Sequence, residues 1–172
     1  MRTRTLLLLA TMATIVPIWL AGPLVGERGP EAAPAALLSR DGSSATARAL
    51  AVLSTWDRQR AAAWRVGDPG ALARLYVRGS RTGARDVGDL RRWVGRGLHV
   101  SGLRQQVASL RVVARSPARI VVVVTERTVD GIAEGRGRRT AVPTSAWATH
   151  RVALRHLGGG WRVAEAVAQP AR

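Results

Sequence analysis

The chain has 172 residues, of which 47% are apolar, and its 27 basic residues outnumber 11 acidic ones, giving a formal net charge of +16. This length favours one domain plus a tail or an anchor, and the apolar content is too high for a chain that is disordered throughout. The absence of cysteine excludes disulfides, a thiolate nucleophile and a cysteine metal site.

The N-terminus has the pattern of an export signal or a membrane anchor. Arg2 and Arg4 precede an uncharged stretch, 6–25, which as a helix would rise roughly 30 Å, the thickness of the bilayer hydrocarbon. Basic residues before such a span predict that the N-terminus stays inside and the remaining chain lies outside. Trp19 stands where a signal peptidase needs a small residue, so we favour an uncleaved anchor, with a cleaved signal and secretion as the alternative.

The chain divides into four segments by composition. Glycine and proline without amphipathic period indicate a linker after the apolar stretch. We therefore predict an anchor over 1–25, a linker over 26–45, an α+β domain over 46–168 and a short tail over 169–172.

Three helices are predicted at the start of the domain. Apolar residues at three- and four-residue spacing predict a helix over 45–66 with one buried face. Asp68 followed by Pro69 predicts the N-cap and first residue of a short helix that runs through Tyr76. Asp86 is predicted to cap a third helix, 87–96, after a glycine-containing loop over 77–85.

The remaining pattern alternates and predicts strands. These are expected over 107–114, 120–129, 147–157 and 161–167, while 135–143 is expected to be a basic loop with a short edge strand as an option. Short turns between strands require antiparallel pairing. The predicted class is α+β, with three N-terminal helices packed on a curved antiparallel sheet of about four strands, preceded by a single membrane-spanning helix.

This order of elements resembles the nuclear transport factor 2-like superfamily, the SnoaL-like, cone-shaped α+β proteins, over residues 46–168. The resemblance is carried by Gly67-Asp68 between the first two helices, Leu72-x-x-Leu75-Tyr76 at the end of the second, and the final hairpin Gly159-Gly160-Trp161-Arg162-Val163. An anchor followed by such a domain is similar to actinobacterial Mce-associated membrane proteins and to inner-membrane scaffold subunits of type IV secretion systems.

The resemblance implies two kinds of function. The anchored relatives imply a non-catalytic interaction or accessory domain of the cell envelope, with a protein partner. SnoaL-like isomerases and dehydratases imply a small-molecule cavity instead, worked by an acid or base and a hydrogen-bond donor. The superfamily also leaves a homodimer open.

Six residues are candidates for lining such a cavity: Trp56, Arg60, Trp64, Tyr76, Glu126 and His150. The alternative for the tryptophans, which we favour, is core bulk in a chain without phenylalanine. Arg60 could hold an anionic ligand, but we favour a structural ion pair with a carboxylate such as Asp57, Glu126 or Glu165.

No motif predicts a catalytic, cofactor or metal site. His150 and His156 are six residues apart on one strand, about 20 Å, which is too far for shared ligation of zinc. A phosphate-binding loop of the P-loop type needs a lysine, and the chain has none.

A basic patch is predicted on the third helix at Arg91, Arg92 and Arg96, with a second group at Arg136, Arg138 and Arg139. Nucleic acid would suit these charges electrostatically, but export argues against it. We expect an acidic protein, anionic envelope polymers or lipid headgroups as partner, with a merely solvated surface as the alternative. The leading interpretation is a membrane-anchored, extracytoplasmic interaction domain; the alternatives are a small-molecule cavity protein or enzyme and a polymer binder.

Overall fold

The computed structural model of the protein describes residues 38–170, with side chains from residue 42 onward. The predicted anchor, most of the predicted linker and the last two residues of the tail lie outside the described residues. No helix within 38–170 is long and apolar enough to cross a membrane. In chain order the elements are α1 (Leu38–Val66), α2 (Pro69–Arg74), α3 (Arg81–Val94), β1 (His99–Ser101), β2 (Arg104–Ser116), β3 (Arg119–Val129), β4 (Ile132–Gly135), β5 (Arg138–Ala141), β6 (Ala148–Leu157) and β7 (Gly160–Ala168).

The main sheet has four antiparallel strands in the order β2-β3-β6-β7. Val122 and Val124 of β3 are fully buried on one face, and Val121 is fully buried on the other. This agrees with the continuous apolar run of that strand, which predicts a central position. The α+β class and the curved antiparallel sheet are confirmed.

A second sheet of three short strands, β1-β4-β5, was not predicted. Much of the segment expected to be a loop, 135–143, belongs to the hairpin of β4 and β5. Arg136 and Gly137 make the turn with φ of 52° and 73°. Arginine at a positive φ carries no local turn signal, so the sequence pattern favoured a loop.

The helices agree with the sequence except at their ends. Asp68 caps α2 as predicted, accepting hydrogen bonds from the backbone N–H groups of Gly70 and Ala71 at 2.8 and 2.9 Å. By contrast α1 begins at Leu38, within the segment expected to be linker.

The predicted start of α3 is wrong. Ser80, rather than Asp86, is its N-cap, and the Ser80 hydroxyl accepts from the backbone N–H of Gly83 at 3.0 Å. Gly83 suggested a loop, yet it lies in the first turn of α3. Glycine is needed there because the Tyr76 ring packs against this position. A Cβ at this position would lie 2.5 Å from Tyr76 Cγ. Asp86 therefore falls within the helix, and the helix ends at Val94.

The hydrophobic core lies between the helices and one face of the main sheet. The face of α1 that carries Leu53, Trp56 and Trp64 packs against strand residues that include Val124 and Leu154. These positions follow from helical spacing on one side and strand alternation on the other. We call this covered side the inner face of the sheet, and the opposite side the outer face.

The last strand joins the sheet to the helices. Val163 of β7 pairs in parallel with Tyr76, through Val77 N–H to Val163 O at 2.9 Å and Val163 N–H to Leu75 O at 3.0 Å. Two residues later, Glu165 accepts hydrogen bonds from the first turn of α3. The loop between α2 and α3 is thereby fixed, and with it the position of the Tyr76 ring.

Candidate functional site

Three side chains, two from α1 and one from the loop after α2, meet at the buried carboxylate of Asp86 on α3. Arg60 of α1 donates to Asp86 of α3 through Nε at 2.7 Å and Nη2 at 2.6 Å, a bidentate pair. The Tyr76 hydroxyl donates to Oδ2 at 2.7 Å, and the Trp64 indole N–H donates to Oδ1 at 3.2 Å. Each oxygen of the Asp86 carboxylate therefore accepts two hydrogen bonds, and we call these four residues the Asp86 network.

The electrostatics of the network favour its charged form. Burial by itself would raise the pKa of Asp86, but the Arg60 guanidinium and the three donors hold it below its ordinary value. Burial would likewise lower the pKa of Arg60, and attraction to Asp86 raises it instead. Burial, followed by the Asp86 charge, raises the pKa of Tyr76, so the phenol stays protonated and donates. The network is a structural ion pair at neutral pH.

The interior around the network is filled by aromatic rings. The Trp56 indole N–H donates to Leu75 O at 2.9 Å, and its ring meets Tyr76 edge-on with centroids 5.4 Å apart. Trp64 meets Trp93 edge-on at 6.4 Å. Offset and edge-on pairs of this kind add to core packing. Within the described residues these tryptophans are core residues, and the indole N–H groups of Trp56 and Trp64 have protein partners.

Two open clefts of the described part lie elsewhere. One, of about 550 Å³, is formed by β2 and β3 beside Arg104 and Asp130. The other, of about 420 Å³, lies between α1 and α2 beside Val66 and Asp68. Neither is lined by any of the six candidate cavity residues, and neither is lined by a member of the Asp86 network.

The structure separates the six candidates into two groups. Arg60 has a structural carboxylate partner, as favoured from the sequence, but that partner is Asp86 rather than Asp57, Glu126 or Glu165. The role of Asp86 as the partner of Arg60 was not predicted, because an aspartate before an apolar helical pattern is also a typical N-cap.

Glu126 and His150 form the second group, on the inner face of the sheet. They lie on neighbouring strands, with His150 Nδ1 at 3.7 Å from Glu126 Oε1. Glu126 Oε2 and His150 Nδ1 are buried atoms without a hydrogen-bond partner in the structure. Buried polar atoms normally have hydrogen-bond partners, as those of the Asp86 network do. The two atoms on Glu126 and His150 are exceptions to this rule.

Asp57 of α1 faces the same place and was not predicted as a cavity residue. Burial and then the negative charge of Glu126 raise the pKa of Asp57 to about 7, although Arg60 acts in the opposite direction. A carboxyl group that titrates near neutrality can both accept and donate a proton. Within the described residues no group of three or more acidic, histidine or cysteine side chains could hold a metal ion.

The predicted basic patch lies on α3 and just beyond its C-terminus. Arg91, Arg92 and Arg96 are exposed. Arg92 forms an ion pair with Asp89 one turn away, and the backbone carbonyl of Arg96 accepts from the Arg136 side chain. The exposure of these arginines fits both a binding patch and a merely solvated surface, so the basic patch stays a prediction.

Comparison with solved structures agrees with this architecture. The intermembrane space region of the chloroplast protein ARC6 superposes with a TM-score of 0.52 at 15% identity, covering 73% of this chain and 97% of that one. The chain has a nuclear transport factor 2-like fold. No protein-family model matches the chain, and no curated protein matches its sequence.

Two further structures with lower scores are similar to this cone-shaped fold. Aln2 from a Streptomyces species has a TM-score of 0.47 at 15% identity and covers 71% of this chain and 90% of its own. A proposed scytalone dehydratase from Novosphingobium aromaticivorans has a TM-score of 0.48 at 10% identity and covers 74% and 89%. At these identities the likeness concerns the fold alone.

Proposed function

We propose that the protein is an extracytoplasmic interaction domain of the bacterial cell envelope, held at the membrane by its N-terminal segment and without catalytic activity of its own. One observation carries this proposal: the Asp86 network engages a buried arginine, a tyrosine and a tryptophan of the interior in hydrogen bonds to a single carboxylate. A cavity enzyme needs an open pocket with polar groups free to meet a substrate. In this chain the guanidinium, the phenol and the Trp64 indole are committed to one carboxylate.

The charge of the domain supports the same proposal. Its basic residues are mostly exposed, whereas Arg60 is largely buried and paired. A cationic surface acts through complementary charge on a partner. The excess of arginine on an exported domain therefore favours recognition at the surface over chemistry in the interior.

Localisation and partner capture test the proposal together. The full chain carrying a C-terminal epitope is expressed in a bacterial host, and intact cells with a permeabilised outer layer are treated with protease. In protease-treated cells we expect the epitope to be digested without lysis. In untreated cells we expect it to sediment with the membranes. Cross-linking in intact cells should then capture an envelope protein in a salt-sensitive complex. An epitope that is protected from protease and found in the soluble cytosolic fraction would refute the proposal.

A second candidate function is a small-molecule site at Asp57, Glu126 and His150. It is favoured by the two unpartnered buried atoms on Glu126 and His150 and by a neighbouring carboxyl group whose pKa lies at about 7. These groups would act as acid and base on a ligand that reaches the inner face of the sheet.

Thermal shift with a set of small hydroxylated aromatic compounds tests this second candidate. A compound that raises the Tm of the parent chain, but not of a Glu126→Gln variant, would support it. If no compound raises the Tm of the parent chain, the candidate fails. The Glu134→Gln variant is the matched control, because it makes the same change at a more exposed carboxylate on the second sheet.

A further inference from the structure

Five arginines on the outer face of the main sheet have no ion pair, side-chain hydrogen bond or ring contact with any described residue. They are Arg111, Arg119, Arg151, Arg155 and Arg162, none of which takes part in the five ion pairs of the described part. The strand register places them together, because residues opposite one another on neighbouring strands project from the same face. This group, the outer-face arginines, was not among the basic patches predicted from the sequence.

The outer-face arginines form two rows across the strands. Arg119, Arg155 and Arg162 are directly opposite one another on β3, β6 and β7, so they span about 10 Å. Arg111 and Arg151 lie on either side of Val123, four residues further along β3, about 13 Å away. Like charges directly opposite in a sheet are unfavourable, so an anionic partner would relieve both rows.

A band of small side chains lies between the two rows. Ala114, Val121 and Ala153 are in register across β2, β3 and β6; Ala114 is exposed and Ala153 is half-buried, whereas Val121 between them is fully buried. The row continues to Glu165 at the sheet edge, where that carboxylate is bound to the first turn of α3. Exposed apolar surface adjoins the second arginine row at Val167, which is 53% exposed. The two arginine rows are therefore separated by a strip of small side chains whose accessible apolar surface is that of Ala114 and Ala153.

Charge decides which partner fits this face. A second copy docked face to face would bring ten arginines together, which opposes dimerisation across the sheet. A polymer of phosphates would complement the charge of the two arginine rows but would leave the apolar surface of Ala114 and Val167 uncovered. An extended or helical protein segment with carboxylates on its flanks and apolar side chains between them matches both features.

We propose that the outer-face arginines bind an acidic segment of a partner protein, with carboxylates on the arginine rows and apolar side chains on the strip between them. This inference rests on the proposed function as an interaction domain and names the chemistry of its partner. Arginine suits this task, because its planar guanidinium can bind a carboxylate through two hydrogen bonds.

Binding of a synthetic acidic peptide to the full chain in neutral detergent tests the inference independently of localisation. The probe is a fluorescein-labelled peptide of twelve residues with repeated Glu-Glu-Val, followed by fluorescence anisotropy at two salt concentrations. The variant Arg119→Gln/Arg155→Gln/Arg162→Gln removes one row. The matched control is Arg91→Gln/Arg92→Gln/Arg96→Gln, which removes the same charge from α3.

We expect the outer-face variant to raise the Kd of the peptide about tenfold, and the α3 variant to change it less than about twofold. The outer-face variant should also weaken the salt dependence of binding. Circular dichroism and the Tm check that both variants fold. Equal losses in the two variants would overturn the inference, because binding would then follow net charge alone.

Competition identifies the other possible occupants. Dihexanoyl phosphatidylglycerol and inorganic polyphosphate are titrated against the bound peptide at equal concentrations of negative charge. If either binds through the outer-face arginines more tightly than the peptide, the face is one for lipid headgroups or phosphate polymers, and the inference is wrong. A dimer in sedimentation that the outer-face variant dissociates would overturn it as well. If binding behaves as expected while the epitope lies in the cytosol, the proposed location fails and the arginine site stands.

Discussion

Replacement of Asp86 by asparagine tests whether the Asp86 network stabilises the fold. Asparagine has nearly the same shape, so the variant removes the charge and one acceptor without opening a cavity. Two of the four donors, Arg60 Nε and the Tyr76 hydroxyl, now point to Oδ2 at 2.7 Å. In either orientation the amide NH₂ of asparagine would face donors, and the guanidinium would lose its counter-charge.

The expected loss of stability follows from burial. The Arg60 and Asp86 side chains are 17% and 9% exposed, so the cation would remain mostly desolvated. Removal of one partner from a buried ion pair costs about 3–5 kcal/mol. A domain of this size has a free energy of unfolding of about 5–15 kcal/mol. The variant should therefore still fold, but with a much smaller free energy of unfolding. At about 3–4 °C per kcal/mol, the corresponding fall in Tm is about 10–20 °C.

Urea unfolding of the full chain, followed by tryptophan fluorescence, measures this loss. Trp56 and Trp64 pack in the buried cluster around the network, so their emission reports its opening. Asp130→Asn is the control, because it breaks the ion pair with Arg104, whose two side chains are exposed, and should change the free energy of unfolding by less than about 1 kcal/mol.

A double variant separates charge pairing from packing. Arg60→Met combined with Asp86→Leu replaces both charges with apolar groups and should recover part of the lost stability, since the Tyr76 hydroxyl and the Trp64 indole still lose their acceptor. If Asp86→Asn costs less than about 1 kcal/mol, or if the double variant is no more stable than the single one, the network does not act as a buried ion pair and the reasoning is refuted.

Three further predictions concern packing, protonation and surface charge. Gly83→Ala should destabilise the domain by about 1–3 kcal/mol, because the new Cβ meets the Tyr76 ring, whereas Gly88→Ala in the same helix should stabilise it by about 0.5–1 kcal/mol; chemical denaturation compares the two. The pKa of Asp57 is raised from 3.8 to about 7 on folding, so between these values the folded chain holds a proton that the unfolded chain has lost. Stability should therefore fall as the pH rises from 4 through 7, and Asp57→Asn should flatten this slope in unfolding curves taken across that range. Arg155→Glu places an opposite charge between two arginines on adjoining strands and should raise the free energy of unfolding by up to about 1 kcal/mol; a lower Tm at low salt would contradict it.

Elements with local signals were predictable from the sequence. The continuous apolar run of β3 indicates a strand covered on both faces, and Asp68 before Pro69 indicates a capped helix start; both features are present. The start of α3 was not predictable in the same way. Ser80 and Asp86 are both good capping residues, and the choice between them depends on the Tyr76 ring, which needs the glycine at position 83.

The candidate site depends on contacts that no local pattern contains. Asp86 is 26 residues from Arg60 in the sequence, and its role follows from the way α1 and α3 pack together. Asp57 faces Glu126 only because α1 crosses the inner face of the sheet. The outer-face arginines depend on strand register, since each strand alone shows only an ordinary alternation of charged and apolar residues.

The hydrogen bonds of Glu165 have a consequence for the order in which the chain folds. This carboxylate, on the last strand, accepts from the backbone N–H groups of Arg81 and Thr82 and from the Thr82 hydroxyl, more than 80 residues earlier. During synthesis the first turn of α3 therefore cannot form its hydrogen bonds to Glu165 until almost the whole domain has left the ribosome. Val163, beside it, closes the loop after α2 at the same late moment. Contacts of such long sequence separation slow folding, so β7 completes the domain, and a chain that stops before it would leave its helices without their anchoring strand.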